Sequence, residues 1–334
     1  MKNKISNKQR CYITLDYELF LGQESGSIDN CLIIPTHHLC KMLDKYGIKV
    51  IFFVDAAYLY KLKELSAHNV KIFKDYIKLS NHIKSLSLQG HSIQLHFHPQ
   101  WLYSEYSDNK WMIDQCHYRV DDIDTCYLDK IFPKCIDLLN SLIVSPVKAF
   151  RAGGYTIGDF KLVKNIFKAK GIVIDSSVLS GKKYSSEFQN YDYSSVPQLS
   201  SYSFENNISC YDNEGSFREF PITTMPIGCL KSIYDAYKIK YLKNIQNNQR
   251  WGDGLSVISK KRRNHTFISY LKPSYRIASI DGIKSIWLDS VIKYCRNKNR
   301  DIILIGHPKL ITPFSIQNLE KIIQSYSDIS YELF

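Results

Sequence analysis

The chain has 334 residues, with 44 Lys and Arg against 32 Asp and Glu for a net charge of +12. That length can bury a sizeable core, and an apolar content of 44% excludes wholesale disorder. The nine cysteines are odd in number, scattered and without a C-x-x-C pair, which argues against a disulfide framework and for reduced thiols in the cytoplasm.

No apolar run approaches the ~20 residues that cross a bilayer. The opening "MKNKISNKQRCYITLDYELF" lacks the apolar core and small-residue cleavage site of a signal peptide. The expected location is therefore cytoplasmic. The basic run Lys260–Arg263 has two readings: a solvated loop, or a dock for phosphate or for the anionic face of the inner membrane, which would make the protein peripheral to it. Nucleic acid is not an expected partner, because no recognised binding motif accompanies the charge.

In chain order, "CYITLDYE" reads as a strand, followed by a Gly- and Ser-rich loop. "PTHHLCKMLDKYG" has Leu39, Met42 and Leu43 at helical spacing and Gly47 as its stop. "IKVIFFVDA" is apolar throughout, as in a strand buried on both faces. A helix is predicted over 70–88, ending at Gly90, and then the strand "SIQLHFH". After it come a helix over 128–142, the strand "VKAFRAG", a helix over 160–170 closed by Gly171, and the strand "IVIDSSV". Tyr- and Ser-rich sequence follows Ser180. The alternation resumes with "SFREFPIT", a helix over 283–296, the strand "DIILIGH" and a helix over 316–325.

About seven strands, most followed by helices, argue for a parallel sheet. The expected architecture is one α/β barrel over 1–334, with its core in 11–180 and 215–330 and an elaborated segment at about 180–280.

The ionisable residues gather at the strand exits. Asp16 and Glu18 end the first strand, His96 and His98 the third, Arg151 the fourth, Asp175 the fifth and His307 the last. In a β/α barrel those exits converge on one mouth. Side chains two apart on a strand share a face, so Gln94, His96 and His98 point one way, and Thr14, Asp16 and Glu18 likewise align. Two imidazoles and one carboxylate suit a divalent metal with positions open for water and substrate, and the second carboxylate is free to act as a base. His91 follows Gly90 on the opposite face and reads as structural, as do His37 and His38 on their helix. "DSSV" could be a strand-end turn in which Asp175 caps backbone amides. "RAGGY" is a tight turn that would also let Arg151 orient a carboxylate.

These strings resemble the NodB-homology polysaccharide deacetylases, carbohydrate esterase family 4. "TLDYE" (14–18) resembles the family's T-F-D-D-G and "GHSIQLHFHP" (90–99) its G-H-E-I-x-x-H-T-x-x-H-P. "FRAGGY" (150–155), "DSSV" (175–178) and "ILIGHP" (303–308) resemble F-R-x-P-Y, D-S-x-W and the closing L-x-H. "DYELFLGQESGS", "QLHFHPQW" and "FRAGGY" together look most like a divergent WbmS-like branch associated with bacterial surface-polysaccharide loci.

The resemblance implies a distorted (β/α)7 barrel and metal-assisted removal of an N-acetyl group from a sugar. It implies Asp16 as base, Arg151 holding it, His307 as general acid, Asp175 assisting His307 or Arg151, and backbone amides near Tyr155 stabilising an oxyanion. Tyr155 and Trp101 are the substrate-binding candidates. The implied cofactor is a divalent metal, Zn²⁺ first with Co²⁺ or Mn²⁺ as alternatives. The implied partner is an N-acetylated sugar, a nucleotide sugar or a lipid-linked oligosaccharide.

Two departures from the family pattern matter. Its second Asp, a metal ligand, is Tyr17 here, so Glu18 takes that place, with an exchange of roles with Asp16 left open. The histidines stand two apart instead of four. Two rival readings remain: a metal-free amidohydrolase of related fold, and a silent carbohydrate-binding relative that stacks sugars on Trp101, Trp111 and the Tyr-rich 184–211 segment.

Overall fold

The computed structural model describes residues 8–186, 189–242, 248–256 and 274–334. Lys260–Arg263 therefore lies outside the described residues. The first strand, β1 (Arg10–Tyr17), is buried along all but its first residue, as expected of a sheet covered on both faces. It pairs in parallel with β2 (Ile51–Asp55), which in turn pairs with β3 (Ser92–Phe97). Between them run α1 (Ile34–Asp44), α2 (Ala56–Ser66) and α3 (Val70–Leu88).

Helix α3 has the span that its apolar spacing predicts, and Asn69 caps it by accepting from the amides of Lys71 and Ile72 at 3.0 Å each. Helix α2 is not marked by the sequence reading, which passes from the second strand to Val70. Its start is fixed by Asp55, whose Oδ1 accepts from Tyr58 N at 3.4 Å.

Beyond β3 come the short α4 (Gln100–Tyr103) and the hairpin of β4 (Glu105–Ser107) and β5 (Lys110–Met112). Then follow α5 (Thr125–Asn140), β6 (Ala149–Ala152), α6 (Lys161–Lys170) and β7 (Ile174–Asp175). Gly171 closes α6 at φ 71°, the left-handed conformation that favours glycine. β7 is shorter than the predicted "IVIDSSV" because Ser177 N turns to donate to Asp175 Oδ1 at 2.8 Å.

The elaborated segment holds the hairpin β8 (Lys183–Ser185) and β9 (Asn190–Asp192), then β10 (Tyr202–Phe204), β11 (Phe217–Glu219), β12 (Thr224–Ile227), α7 (Cys229–Leu242) and β13 (Ser274–Ile277). The chain ends with α8 (Leu288–Asn297), β14 (Ile302–Gly306), α9 (Pro313–Ser325) and β15 (Ser330–Tyr331).

The main sheet runs β10-β11-β7-β6-β3-β2-β1-β14, with β15 also on β1. Every pairing from β11 to β14 is parallel, so seven strands form the curled wall of a distorted (β/α)7 barrel, and only β10 is antiparallel. β11 and β14 do not pair along this path; a strap spans the interval between them. Thr223 N donates to Ile303 O at 3.0 Å and Ala278 N to Thr223 O at 2.8 Å. Ile280 N then donates to Ile305 O at 2.9 Å. The strap continues directly into Asp281. Strands from both ends of the chain share this one sheet, so the barrel needs residues from Arg10 to Tyr331.

Candidate active site

The third strand delivers its two histidines to one point. His96 Nδ1 bonds the carbonyl of Arg151 on the neighbouring β6 at 2.7 Å, and His98 Nδ1 bonds Asp55 Oδ2 at the exit of β2 at 3.0 Å. A carbonyl and a carboxylate only accept, so each Nδ1 carries a proton and each Nε2 is the atom turned toward the site. Both Nε2 atoms face the same Glu18 Oε2 at 3.1 Å. The three donors lie within 4.8 Å of one another and all three residues are buried.

Glu18 has a second partner that the sequence reading did not single out. Lys309 Nζ donates to Glu18 Oε1 at 2.8 Å and to the carbonyl of Leu19 at 2.7 Å. One oxygen of Glu18 is thus held by an ammonium while the other faces the imidazoles. Burial opposes ionisation of Glu18, but Lys309, His98 and His96 outweigh it and hold the carboxyl well below the usual carboxylate range. Burial also opposes charging of His96, yet Asp16 and Glu18 overcome it and push the imidazole up to about 8.

Asp16 stands apart from this trio. Arg151, fully buried, donates from Nη1 to Asp16 Oδ1 at 2.6 Å and to Thr14 Oγ1 at 2.9 Å. Its other nitrogens are taken by Ser176: Nε donates to the carbonyl at 2.8 Å and Nη2 to the hydroxyl at 2.9 Å. The guanidinium lies 4.1 Å from the centre of the Phe53 ring. The free oxygen of Asp16 faces His307, with Nε2–Oδ2 at 3.6 Å.

His307 is oriented by Asp281, which sequence reasoning missed. Asp281 accepts from His307 N through Oδ1 at 2.8 Å and from Nδ1 through Oδ2 at 2.9 Å. Burial works against the His307 cation, but Asp281, Asp16 and Glu18 raise its pKa above the ordinary value. The same contact holds the Asp281 carboxyl below its usual range against the pull of burial.

Asp175 accepts from Ser177 N and Ser177 Oγ in the strand-end turn, beside Glu219. Of the two partners expected for it, the charge of Arg151 acts on it, and it is not among the groups that act on His307. Burial pushes both carboxyls up, Glu219 well above its usual range, and the two sit together beside the charge of Arg151. Ser176, its neighbour, is the residue that holds Arg151. Trp101 is 0% exposed and packs against Tyr58 and Trp111 with ring centres 4.5 and 5.2 Å away. It belongs to the core and offers no face to a sugar.

The structural histidines divide. His91 is buried and accepts from Val50 N at 3.2 Å through Nδ1, and burial pushes its pKa down to about 4. His37 and His38 are exposed, with His38 stacked on Trp251 at 4.8 Å.

A cavity of about 380 Å³ opens on these groups, lined by Asp16, Glu18, His96, His98, His307 and Lys309. Tyr118, Tyr155, Tyr184 and Gln189 line its wall. Both glycines of "RAGGY" are needed. A side-chain carbon on Gly153 would run into the His98 ring, and Gly154 sits at φ 58° against Tyr118.

The missed residues carry unequal signals. Asp55 ends a strand just as Asp16 does, so the same rule of polar residues at strand exits finds it. Lys309 follows His307 by two positions. Asp281 arrives on the strap, off any predicted strand, and nothing in the local pattern marks it.

No profile of a known family matches the sequence, and no curated protein matches it. Solved structures do match. A Mycobacterium smegmatis protein provisionally assigned as a polysaccharide deacetylase aligns with TM-score 0.50 and 13% identity, over 97% of this chain and 87% of that one. The polysaccharide deacetylase Bc1974 from Bacillus cereus aligns with TM-score 0.38 and 11% identity, over 98% and 92%. A GH57 branching enzyme from Thermococcus kodakaraensis aligns with TM-score 0.47 and 9% identity, over 96% and 68%. The chain has the fold of the polysaccharide deacetylases.

Proposed function

We propose that the protein is a metal-dependent hydrolase that removes an N-acetyl group from a sugar. One observation carries the reading: two buried imidazoles, each with Nδ1 already committed, aim Nε2 at the same oxygen of a buried carboxylate. Two imidazole nitrogens and one carboxylate oxygen suit Zn²⁺, Co²⁺ or Mn²⁺, and the committed Nδ1 atoms supply the outer hydrogen bonds typical of metal-ligating histidines. His96, His98 and Glu18 would hold the ion. When bound, it supplies a Lewis acid that polarises the amide carbonyl and acidifies water.

The remaining groups divide the proton work. Asp16, held by Arg151, takes the proton of the attacking water. His307, held as a cation by Asp281, gives a proton to the departing nitrogen. The C–N bond breaks as the C–O bond forms, releasing acetate and a free amine. The 3.6 Å between His307 Nε2 and Asp16 Oδ2 places acceptor and donor on one small volume. Lys309 keeps Glu18 ionised and turned toward the histidines.

The likeness to surface-polysaccharide proteins directs the substrate search to N-acetylated nucleotide sugars and lipid-linked oligosaccharides. The test is elemental analysis of the purified protein with acetate release from a panel of such compounds. Stoichiometric divalent metal and chelator-sensitive, metal-restored turnover are expected. Undiminished turnover after complete metal removal would favour the metal-free amidohydrolase. A metal-loaded protein that binds the panel without releasing acetate would favour the silent relative.

A further inference from the structure

Helix α7 is amphipathic in the wrong sense for a soluble surface helix. Leu230, Ile233, Tyr234, Tyr237 and Tyr241 follow the spacing i, i+3, i+4, i+7 and i+11, which forms one stripe. A surface helix turns such a stripe to the core. Here it faces out: Leu230 is 86% exposed, Tyr234 61%, Tyr237 72% and Tyr241 76%. The residue turned inward is an acid. Asp235 is buried and paired with Arg276 of β13, and Arg276 in turn lies 3.7 Å from the centre of the Trp287 ring. The helix is thus tied to the barrel through this ion pair, with Ile239 and Leu242 half-buried on the same side, and the stripe of Leu230, Tyr234, Tyr237 and Tyr241 is left outward.

Charge flanks that stripe on both sides. On the helical wheel, the exposed Lys231 borders it on one edge and the exposed Lys240 on the other, while Lys238 beside Lys231 is turned back over the Trp287 ring at 5.3 Å. Tyrosine and leucine at the centre with lysines at both edges is the pattern of a helix lying in a bilayer interface. There the rings sit at headgroup level and the lysines reach the lipid phosphates. A second copy of the chain fits poorly, because face-to-face association would oppose lysine with lysine between two molecules of charge +12.

We propose that α7 is a docking surface for an anionic lipid bilayer. The helix stands beside the mouth of the barrel: Arg276 and Trp287, which it touches, line a cavity of about 210 Å³ together with Tyr155 and Asp281. Docking through α7 would therefore bring the mouth close to the headgroups. The docking itself does not depend on which reaction the site performs.

The experiment is cosedimentation of the full chain with vesicles of mixed phosphatidylglycerol and phosphatidylcholine, or of phosphatidylcholine alone. The wild type should pellet with the mixed vesicles, much less with the neutral ones, and less as salt rises. The triple variant Leu230→Ser, Tyr237→Ser, Tyr241→Ser should bind about tenfold more weakly or worse. Lys231→Ser alone should lose about fivefold. The replaced side chains are exposed, so the triple variant should melt with the wild type; if it does not, Lys231→Ser with Lys240→Ser carries the test. Absence of wild type from the mixed-vesicle pellet, or equal binding by the variants, overturns the proposal. So does a wild-type dimer in analytical ultracentrifugation that the triple variant abolishes while vesicles capture neither, because the stripe would then belong to a second copy.

Discussion

Asp281→Asn separates the charge of His307's partner from its shape. The asparagine can still accept from His307 N, so the backbone is held. Its amide would then face Nδ1, and the neutral imidazole would carry its proton on Nε2 instead of Nδ1. The lost charge sits 2.9 Å from Nδ1, with charge centres about 4 Å apart; at an effective dielectric of 20 that is about 4 kcal/mol. That energy is an upper bound on the loss, because Asp16 and Glu18, at 3.6 and 3.8 Å from Nε2, remain to support the cation. The His307 pKa should therefore fall.

The sign is fixed by the contact. Wild-type His307 is raised, so its cation persists to higher pH; in the variant the cation is lost as pH rises through a lower value. NMR titration of the His307 ring reads this directly in the metal-free protein and needs no substrate. In turnover, the basic limb of kcat/KM should move to lower pH by the same amount, with a loss at neutral pH of up to about 10²–10⁴-fold if His307 is the general acid. An unmoved ring titration would refute the electrostatic account of Asp281. A moved titration with an unmoved basic limb would remove His307 from the acid role.

Asp16→Asn should lower turnover by at least about 10²-fold while metal content, by elemental analysis, is kept; Glu18→Gln should lose the metal, and the opposite pattern would exchange the two roles. Asp55→Asn keeps the cap on α2 but weakens the hold on His98, so zinc affinity should fall about 10–100-fold in a chelator competition titration, and no change would leave Asp55 as a helix cap alone. Metal must displace the proton of His96, whose pKa is pushed up to about 8. Apparent affinity should therefore drop about tenfold per unit as pH falls below that value and level off above it; a flat profile between about pH 6 and 8 would show that His96 is not a ligand.

Much of this was legible because strands impose simple parity. Asp16 with Glu18, and His96 with His98, share faces by the two-residue repeat, and the barrel brings those faces together. About seven strands in a parallel sheet follow from the alternation with helices. What parity cannot reach is what arrives between strands. Asp281 comes on the strap that spans the interval from β11 to β14, and Lys309 on the turn after His307. Trp101 is a sugar-stacking candidate in sequence, but the fold spends its ring on packing against Tyr58 and Trp111. Asp175 was placed at the right strand end, but the turn at Ser177 takes its hydrogen bonds inward.

The burial of Arg151 bears on how such a site is inherited. Its four hydrogen bonds to Thr14, Asp16 and Ser176 tie β1, β6 and the turn after β7 into one buried knot. Removing one partner of a buried ion pair costs about 3–5 kcal/mol, a large part of the stability of an ordinary domain. A descendant that no longer needed the chemistry would still lose stability by losing Asp16 or Arg151, and selection for a stable barrel would favour keeping them. Their presence is therefore a record of ancestry. His307, at the mouth of the cavity, carries no comparable structural duty for β14. It is the better witness that a lineage still uses its site.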